Sequence, residues 1–164
     1  MRRIIQQARK VSADNAGLDI ETTARRLGLE VQEVLESQNL KQVYFSDLQA
    51  IVLRPGLPVS ERGYLIAHGL GHHLLHRSSL RLGQPGRPRL MSCGGLLNRG
   101  RATRLEREAD IFAAYLLVPG ARLNDALVQG WVQEDDDPVL ALALEFAVPE
   151  ELLRERLVYQ GINC

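Results

Sequence analysis

Four histidines, the whole complement of this 164-residue chain, fall within nine positions: His68, His72, His73 and His76. The stretch from about Glu61 to His76 has the apolar spacing of one long helix. His68 and His72 are i and i+4, so on a helix their imidazoles lie one above the other, about 6 Å apart along the axis. That spacing allows both rings to bind one metal ion. Taken alone, such a pair is more often a set of structural histidines or a surface cluster.

A second helix, predicted from about Thr103 to Val118, carries two acids with the same spacing. Glu106 and Asp110 are again i and i+4. A carboxylate from a second helix completes the three-ligand set of a catalytic zinc site, as in H-E-x-x-H peptidases. An acid one turn further on can accept the N–H of a ligating imidazole and fix its tautomer. Alone, these acids also fit a solvated helix face; beside the histidine helix, we interpret them as part of a metal site.

The pattern predicts one α+β domain over residues 1–164. Gln42–Phe45 and Gln49–Leu53 are rich in β-branched or aromatic residues and flank Ser46-Asp47, so they predict a hairpin. Ser60 is the expected N-cap of the histidine helix. Further helices are predicted at Ile4–Val11, from Asp19 to the stop at Gly28, near Ala121–Val128, at Pro138–Phe146 and at Pro149–Tyr159.

The segment Ser78–Gly100, between the two metal helices, is predicted to be a loop. It contains five glycines and two prolines in 23 residues. Arginines in this loop suggest a flap over the cleft, or equally a disordered insertion. Cys93 within it is expected to be a free thiol; a thiolate that occupies the open metal position is the less favoured alternative.

Leu29–Leu35 fits either a strand or a helix. If it is a helix, the stretch Glu21–Leu40 has the rhythm of a DNA-binding helix-turn-helix. The supposed recognition helix would then present three acids to the phosphates, which is electrostatically unfavourable: Glu30, Glu33 and Glu36. A strand at this position would exclude that alternative.

Charge is balanced overall, with twenty Lys+Arg and twenty Asp+Glu. We therefore expect no direct nucleic-acid binding and no attraction to a membrane surface. With neither a membrane-length apolar run nor a signal peptide, the expected compartment is the cytoplasm. Eight arginines and no acid lie between Arg62 and Arg104, whereas residues from Glu106 onward carry a net charge of −8. The basic middle either pairs with the acidic end or forms a basic rim around a cleft.

The two metal helices resemble those of the ImmA/IrrE-type metallopeptidases. The active-site helix of that family carries A-H-E-x-G-H, and residues 67–72 read A-H-G-L-G-H. Its second helix carries E-x-E-A-[DN]-x-F-A-x-x-L-L-x-P, and residues 106–119 read E-R-E-A-D-I-F-A-A-Y-L-L-V-P. Ile20–Val31 is similar to the family's opening helix and first strand, and Gln49–Leu53 to the strand before the active-site helix.

The resemblance implies a zincin-like fold with zinc bound by His68, His72 and Glu106. Asp110 would be the partner that orients a ligating histidine. Members of the family cleave or otherwise inactivate helix-turn-helix repressors, so a repressor is the implied partner.

One departure from the family pattern concerns catalysis directly. The glutamate that should follow His68, the general base, is Gly69. General acid–base catalysis typically supplies roughly 10²–10⁴-fold in rate, and neither Glu61 nor His73 is placed to substitute. We therefore expect poor peptide hydrolysis or none. A natural pseudo-peptidase, an inactivating substitution and a base recruited from elsewhere all remain open. The alternative function is a metal-free repressor-binding module that pairs an edge strand, Gln49–Leu53, with its partner.

Overall fold

A small mixed sheet lies beside seven helices in the computed structural model, which describes residues 1–36, 39–81, 90–93, 103–130 and 137–162. The elements in chain order are α1 (Arg2–Asp14), α2 (Ile20–Arg26), β1 (Glu30–Gln32), β2 (Gln42–Phe45), β3 (Ala50–Leu53), α3 (Val59–Arg81), β4 (Leu90–Cys93), α4 (Arg104–Leu117), α5 (Gly120–Gly130), α6 (Pro138–Glu145) and α7 (Glu150–Val158). The predicted α+β class and the predicted helices are confirmed.

The sheet has the strand order β1-β3-β2-β4 among the described residues. β2 pairs antiparallel with β3, which confirms the predicted hairpin, and β1 pairs parallel with β3. Glu30–Gln32 is thus a strand, so the helix-turn-helix interpretation of this region is wrong. The interpretation of Gln49–Leu53 as a free edge is also wrong, because β3 has neighbours on both sides.

Local signals explain how α2 leads into β1. The Asp19 side chain accepts a hydrogen bond from the Thr22 N–H and caps α2. This bond to the ionised form lowers the pKa of Asp19. Gly28 then has φ +82°, a left-handed conformation that stops the helix and turns the chain into the sheet.

Two predicted boundaries around the histidine helix are wrong. α3 begins at Val59, and the N–H of Arg62 donates to the carbonyl of Pro58, so Ser60 lies inside the helix and does not cap it. The helix continues to Arg81, and β4 pairs antiparallel with β2 inside the segment predicted as a loop. Cys93 ends that strand, and the rest of the predicted loop lies outside the described residues.

The core lies between α3, the sheet and α4. Leu65, Ile66 and Leu70 of α3 are fully buried, as are Ile51 of β3 and Phe112 of α4. α4 also packs against α1 and α7. No single helix among the described residues has both the length and the apolar character to cross a membrane, although the bent pair Arg104–Leu117 and Gly120–Val128 together would pass by length and composition.

Among the described residues, the basic middle of the chain pairs both with acids that precede it and with the acidic end. Arg62 forms ion pairs with Glu21 and Glu33, which belong to the N-terminal third. Arg104 pairs with Glu108 on its own helix. Most of the other arginines of this segment lie outside the described residues.

Candidate metal centre

Three side chains predicted as ligands come together where α3 crosses α4. His68 and His72 are each only 1% exposed, and the Glu106 side chain is 20% exposed. The Nε2 atoms of the two histidines lie 3.0 Å apart. Glu106 Oε2 is 3.2 Å from His68 Nε2, and Oε1 is 3.5 Å from His72 Nε2. The group therefore aims two imidazole nitrogens and one carboxylate at a common point.

The donor atoms fit a zinc ion. Zinc holds nitrogen and oxygen ligands at about 2.0–2.1 Å in a tetrahedron, which places neighbouring ligand atoms about 3.3 Å apart. The three separations here, 3.0, 3.2 and 3.5 Å, bracket that value. Two histidines with one carboxylate is also the donor set of thermolysin-type catalytic sites, which leave a fourth position open.

Asp110 lies one turn beyond Glu106 and contacts the other face of His68. Its Oδ1 is 2.8 Å from His68 Nδ1, and it also accepts a hydrogen bond of 2.7 Å from the Tyr64 hydroxyl. With the proton on Nδ1, the Nε2 lone pair of His68 faces Glu106 and His72. This is the contact that the sequence assigns to Asp110, and Tyr64 is an additional partner that the sequence reasoning missed.

His72 also begins a row of hydrogen-bonded side chains that the sequence analysis did not assign. His72 Nδ1 lies 3.0 Å from His76 Nδ1, and His76 Nε2 lies 3.1 Å from Glu108 Oε2. A proton on His72 Nδ1 can thus be donated to His76, whose own N–H is donated to Glu108. The signal was present in the sequence, because His76 follows His72 by four residues on the same helix face. His73 lies elsewhere, with Nδ1 3.1 Å from the Tyr44 hydroxyl.

The protonation states suit metal binding. Burial lowers the pKa of His72 from 6.5 to about 4, although the Glu106 carboxylate opposes this. Burial alone would raise the pKa of Glu106, but hydrogen bonds with His68 and His72 outweigh it and lower that pKa to about 2. At neutral pH the imidazole of His72 is therefore neutral and the carboxylate ionised, the forms that a metal requires.

Gly69, which stands where the family pattern described above has glutamate, faces the sheet at close range. A Cβ placed on it would overlap the side-chain amide of Gln42 and would lie 2.5 Å from Cδ1 and 2.8 Å from Cγ1 of Ile51. Gln42 is 1% exposed, and its Nε2 donates to the Leu65 carbonyl at 2.9 Å. Of the two residues considered from the sequence as a substitute base, Glu61 is paired with Lys41, and His73 Nδ1 lies 3.1 Å from the Tyr44 hydroxyl.

Gly71 lies where α3 comes close to the backbone of α4. A Cβ there would lie 3.1 Å from Cα and 3.3 Å from the carbonyl oxygen of Ala109. These are backbone atoms, so they have little room to give. The glycine thus allows α3 and α4 to approach closely enough for His72 and Glu106 to reach one metal ion.

The sequence and the fold of this chain are similar to those of known proteins. The sequence matches the IrrE N-terminal-like domain of peptidases over residues 24–158. A solved structure described as a Mycobacterium tuberculosis transcriptional regulator has the same fold, with a TM-score of 0.66 at 18% sequence identity. The likeness covers 96% of this chain and 47% of that one, so this chain spans about half the length of its structural relative. Comparison with curated proteins finds no match.

Proposed function

This chain belongs to the IrrE N-terminal-like family of peptidases, and from that membership we propose that it is a zinc-binding regulatory protein that acts on a helix-turn-helix repressor. In this proposal His68, His72 and Glu106 bind the metal, and Asp110 holds the tautomer of His68. The observation that carries it is the set of three donor atoms, which lie within 4.8 Å of one another.

Bound zinc would act as a Lewis acid toward a peptide carbonyl and lower the pKa of an attacking water. The protein's contribution is to fix the ligands. Asp110 and Tyr64 hold His68, while His76 and Glu108 hold His72. Burial lowers the pKa of His72 and keeps this imidazole neutral.

Hydrolysis by this chain is impaired in our proposal, because no carboxylate follows His68. The packing of Gln42 and Ile51 against Gly69 supports this, since the space that a glutamate side chain would enter is filled. The rate is expected to be lower by roughly 10²–10⁴-fold than with a general base in place.

The partner is proposed from the family resemblance, in which such proteins cleave or inactivate repressors. The name of the structural relative, a transcriptional regulator, agrees with a regulatory role. The closed packing at Gly69 favours a second candidate function, a repressor-binding module without chemistry. In that case the chain would bind the repressor through a surface other than the edge of β3, because β3 pairs with β1 on one side and with β2 on the other.

Metal stoichiometry of the purified chain tests the zinc site. We expect about one zinc per chain, lost in His68→Ala and retained in His73→Ala, a matched control on the same helix whose imidazole contacts Tyr44 instead. A wild-type chain that binds no zinc, or a His68→Ala variant that binds as much as wild type, would contradict the site.

Repressor binding is tested separately, with purified helix-turn-helix repressors from the same organism applied to the immobilised chain with and without a chelator. Retention of one intact repressor is expected. Retention that survives chelation favours the binding module, and retention that is lost favours the metal-dependent function. Efficient zinc-dependent cleavage would refute the proposed impairment, and retention of none would refute the proposed partner.

A further inference from the structure

A concave site lies away from the proposed metal centre. It is a cleft of about 970 Å³ formed by α1, the end of α4, the start of α5 and α7. None of the proposed metal ligands lines it. Tyr115 lines the cleft, and it lies nine residues beyond Glu106 on α4, or about 13 Å along the helix axis. The volume is in the range of small-molecule sites, about 300–1,000 Å³.

The charge of this cleft is one-sided. Three arginines line it, Arg9, Arg122 and Arg156, and no Asp or Glu is among its described lining residues. Within the described part of the chain, none of the three makes an ion pair with a carboxylate. Cations gathered in a concave site without an acid repel one another and concentrate anions.

Arg156 is the most constrained of the three, because the residue is only 1% exposed. Its Nε donates to the Val118 carbonyl at 3.1 Å, and its Nη1 donates to Gln160 Oε1 at 2.9 Å. The guanidinium also lies over the Tyr115 ring, 4.0 Å from its centroid. These contacts orient the charge but do not neutralise it. Burial lowers the pKa of Arg156, and the like charge of Arg9 adds to that effect.

The start of α5 adds positive potential at the same place. Gly120, Ala121 and Arg122 line the cleft, and the N–H of Leu123 is the first to bond back, to the Pro119 carbonyl. The N–H groups before it have no acceptor within the helix, and they carry the positive end of the helix dipole. Nη2 of Arg156 lies 3.4 Å from where a Cβ on Gly120 would be. The guanidinium and the helix N-terminus are both positive, and together they favour an anion between them.

The remaining walls are mainly apolar, and they include Val11, Leu18, Leu116 and Leu117. A bare inorganic ion would leave these walls unused. From this combination we propose that the cleft binds a small amphipathic anion, a carboxylate or phosphate group on an apolar body. The anionic oxygens contact the guanidinium of Arg156 and the α5 N-terminus, while Arg9 and Arg122 close around them from the rim.

Titration calorimetry with octanoate and octyl phosphate tests this, with octanol and inorganic phosphate as partial ligands. We expect saturable binding of at least one of the two amphipathic anions, and weaker binding of octanol and of inorganic phosphate. Which of the two anions binds more tightly identifies the head group. Because Arg156 also supports the fold through Val118, the test variant is the double substitution Arg9→Gln/Arg122→Gln at two exposed positions.

The double variant should weaken binding about ten-fold, since it removes two charge-assisted contacts. Its matched control is Arg2→Gln/Arg26→Gln, which removes the same charge from exposed positions outside the cleft and should leave binding unchanged. Binding of neither amphipathic anion, equal affinity for octanol, or an equal loss in both double variants would overturn the proposal. The metal centre is intact in every variant, so these outcomes are independent of the proposed zinc function.

Discussion

The side-chain amide of Gln42, on β2, lies where a side chain on residue 69 of α3 would begin. Nε2 of Gln42 is held there by a hydrogen bond to the Leu65 carbonyl, one turn earlier on the same helix. Ile51 closes the site from the neighbouring strand. The difference between Gly69 and the glutamate of the family pattern is thus more than one side chain, because Gln42 and Ile51 fill the space that a glutamate would enter.

Substitution of Gly69 by alanine measures how tightly that space is closed. In an open helix interior, Gly→Ala stabilises by about 1 kcal/mol. At Gly69 the added Cβ must displace the ends of Gln42 and Ile51, so we expect the free energy of unfolding to fall by about 1–3 kcal/mol. Gly63→Ala is the control, since a Cβ there meets only Ile20 at 3.9 Å and should stabilise. Urea unfolding of both variants measures the two changes in free energy of unfolding. If Gly69→Ala is more stable than wild type, Gln42 and Ile51 can move aside at little cost.

Restoring the glutamate should therefore require changes at both residues that fill the space. Gly69→Glu alone is expected to lower stability without giving full peptidase activity, because the new side chain overlaps Gln42 and Ile51. Gly69→Glu/Gln42→Ala/Ile51→Ala removes both overlapping side chains and should give more zinc-dependent cleavage of a bound repressor than Gly69→Glu alone. Gln42→Ala/Ile51→Ala is the control and should stay inactive. Full activity of the single Gly69→Glu variant would contradict this account.

Helices α3 and α4 could be predicted from the sequence because their signals are local. The i, i+4 spacing of His68 and His72, and the same spacing of Glu106 and Asp110 in the first two turns of α4, depend only on helix geometry. The sheet order could not be predicted in this way. β3 lies in the interior because β1, three residues long, pairs with it in parallel, and that pairing is fixed by tertiary packing. β4 was not predicted because it lies in a segment rich in glycine and proline, a composition that favours a loop.

The close contacts of Gly69 and Gly71 with neighbouring elements could not be predicted from the sequence either. Gly69 and Gly71 are two residues apart in one helix, yet one faces side chains of the sheet and the other faces the backbone of α4. Composition would assign both the same helix-weakening effect. Only the packing shows that the first sets the distance from α3 to the sheet and the second sets the distance from α3 to α4.

Gly71→Ala should affect the metal centre through that second distance. The added Cβ would contact Ala109 backbone atoms at 3.1 and 3.3 Å, so α4 must move away by a few tenths of an ångström. Because His72 and Glu106 lie on different helices, we expect zinc affinity to fall about ten-fold, or about 1.4 kcal/mol. Competition with a zinc chelator measures this, and Gly63→Ala should retain the wild-type affinity. An unchanged affinity in Gly71→Ala would mean that the two helices adjust independently of the site.

Acid should destabilise the metal-free chain through His72. The unfolded chain protonates this histidine near its ordinary pKa of 6.5, whereas in the folded chain burial lowers the pKa to about 4. The unfolded state thus binds more protons between these values, and stability falls with decreasing pH by up to about 1.4 kcal/mol per unit. The loss of stability that arises from protonation of Glu106 begins only below the ordinary pKa of this group, 4.5. Urea unfolding of chelator-treated protein should show this slope, and His72→Gln should flatten it; identical slopes would contradict the assignment.

His76 is expected to control zinc affinity without touching the metal. A metal on His72 Nε2 requires the proton on Nδ1, which lies 3.0 Å from His76 Nδ1, and His76 is itself held by Glu108 at 3.1 Å. Loss of such an outer partner typically costs about 10–100-fold in metal affinity, so His76→Ala should fall in that range. Glu108→Gln, which keeps an acceptor oxygen but removes the charge, should cost less. His73→Ala also removes a buried imidazole from α3, and it should lower stability while leaving zinc affinity closer to wild type. If His73→Ala and His76→Ala weaken zinc equally, the effect comes from general loosening of α3, and the assigned orientation of His72 by His76 is wrong.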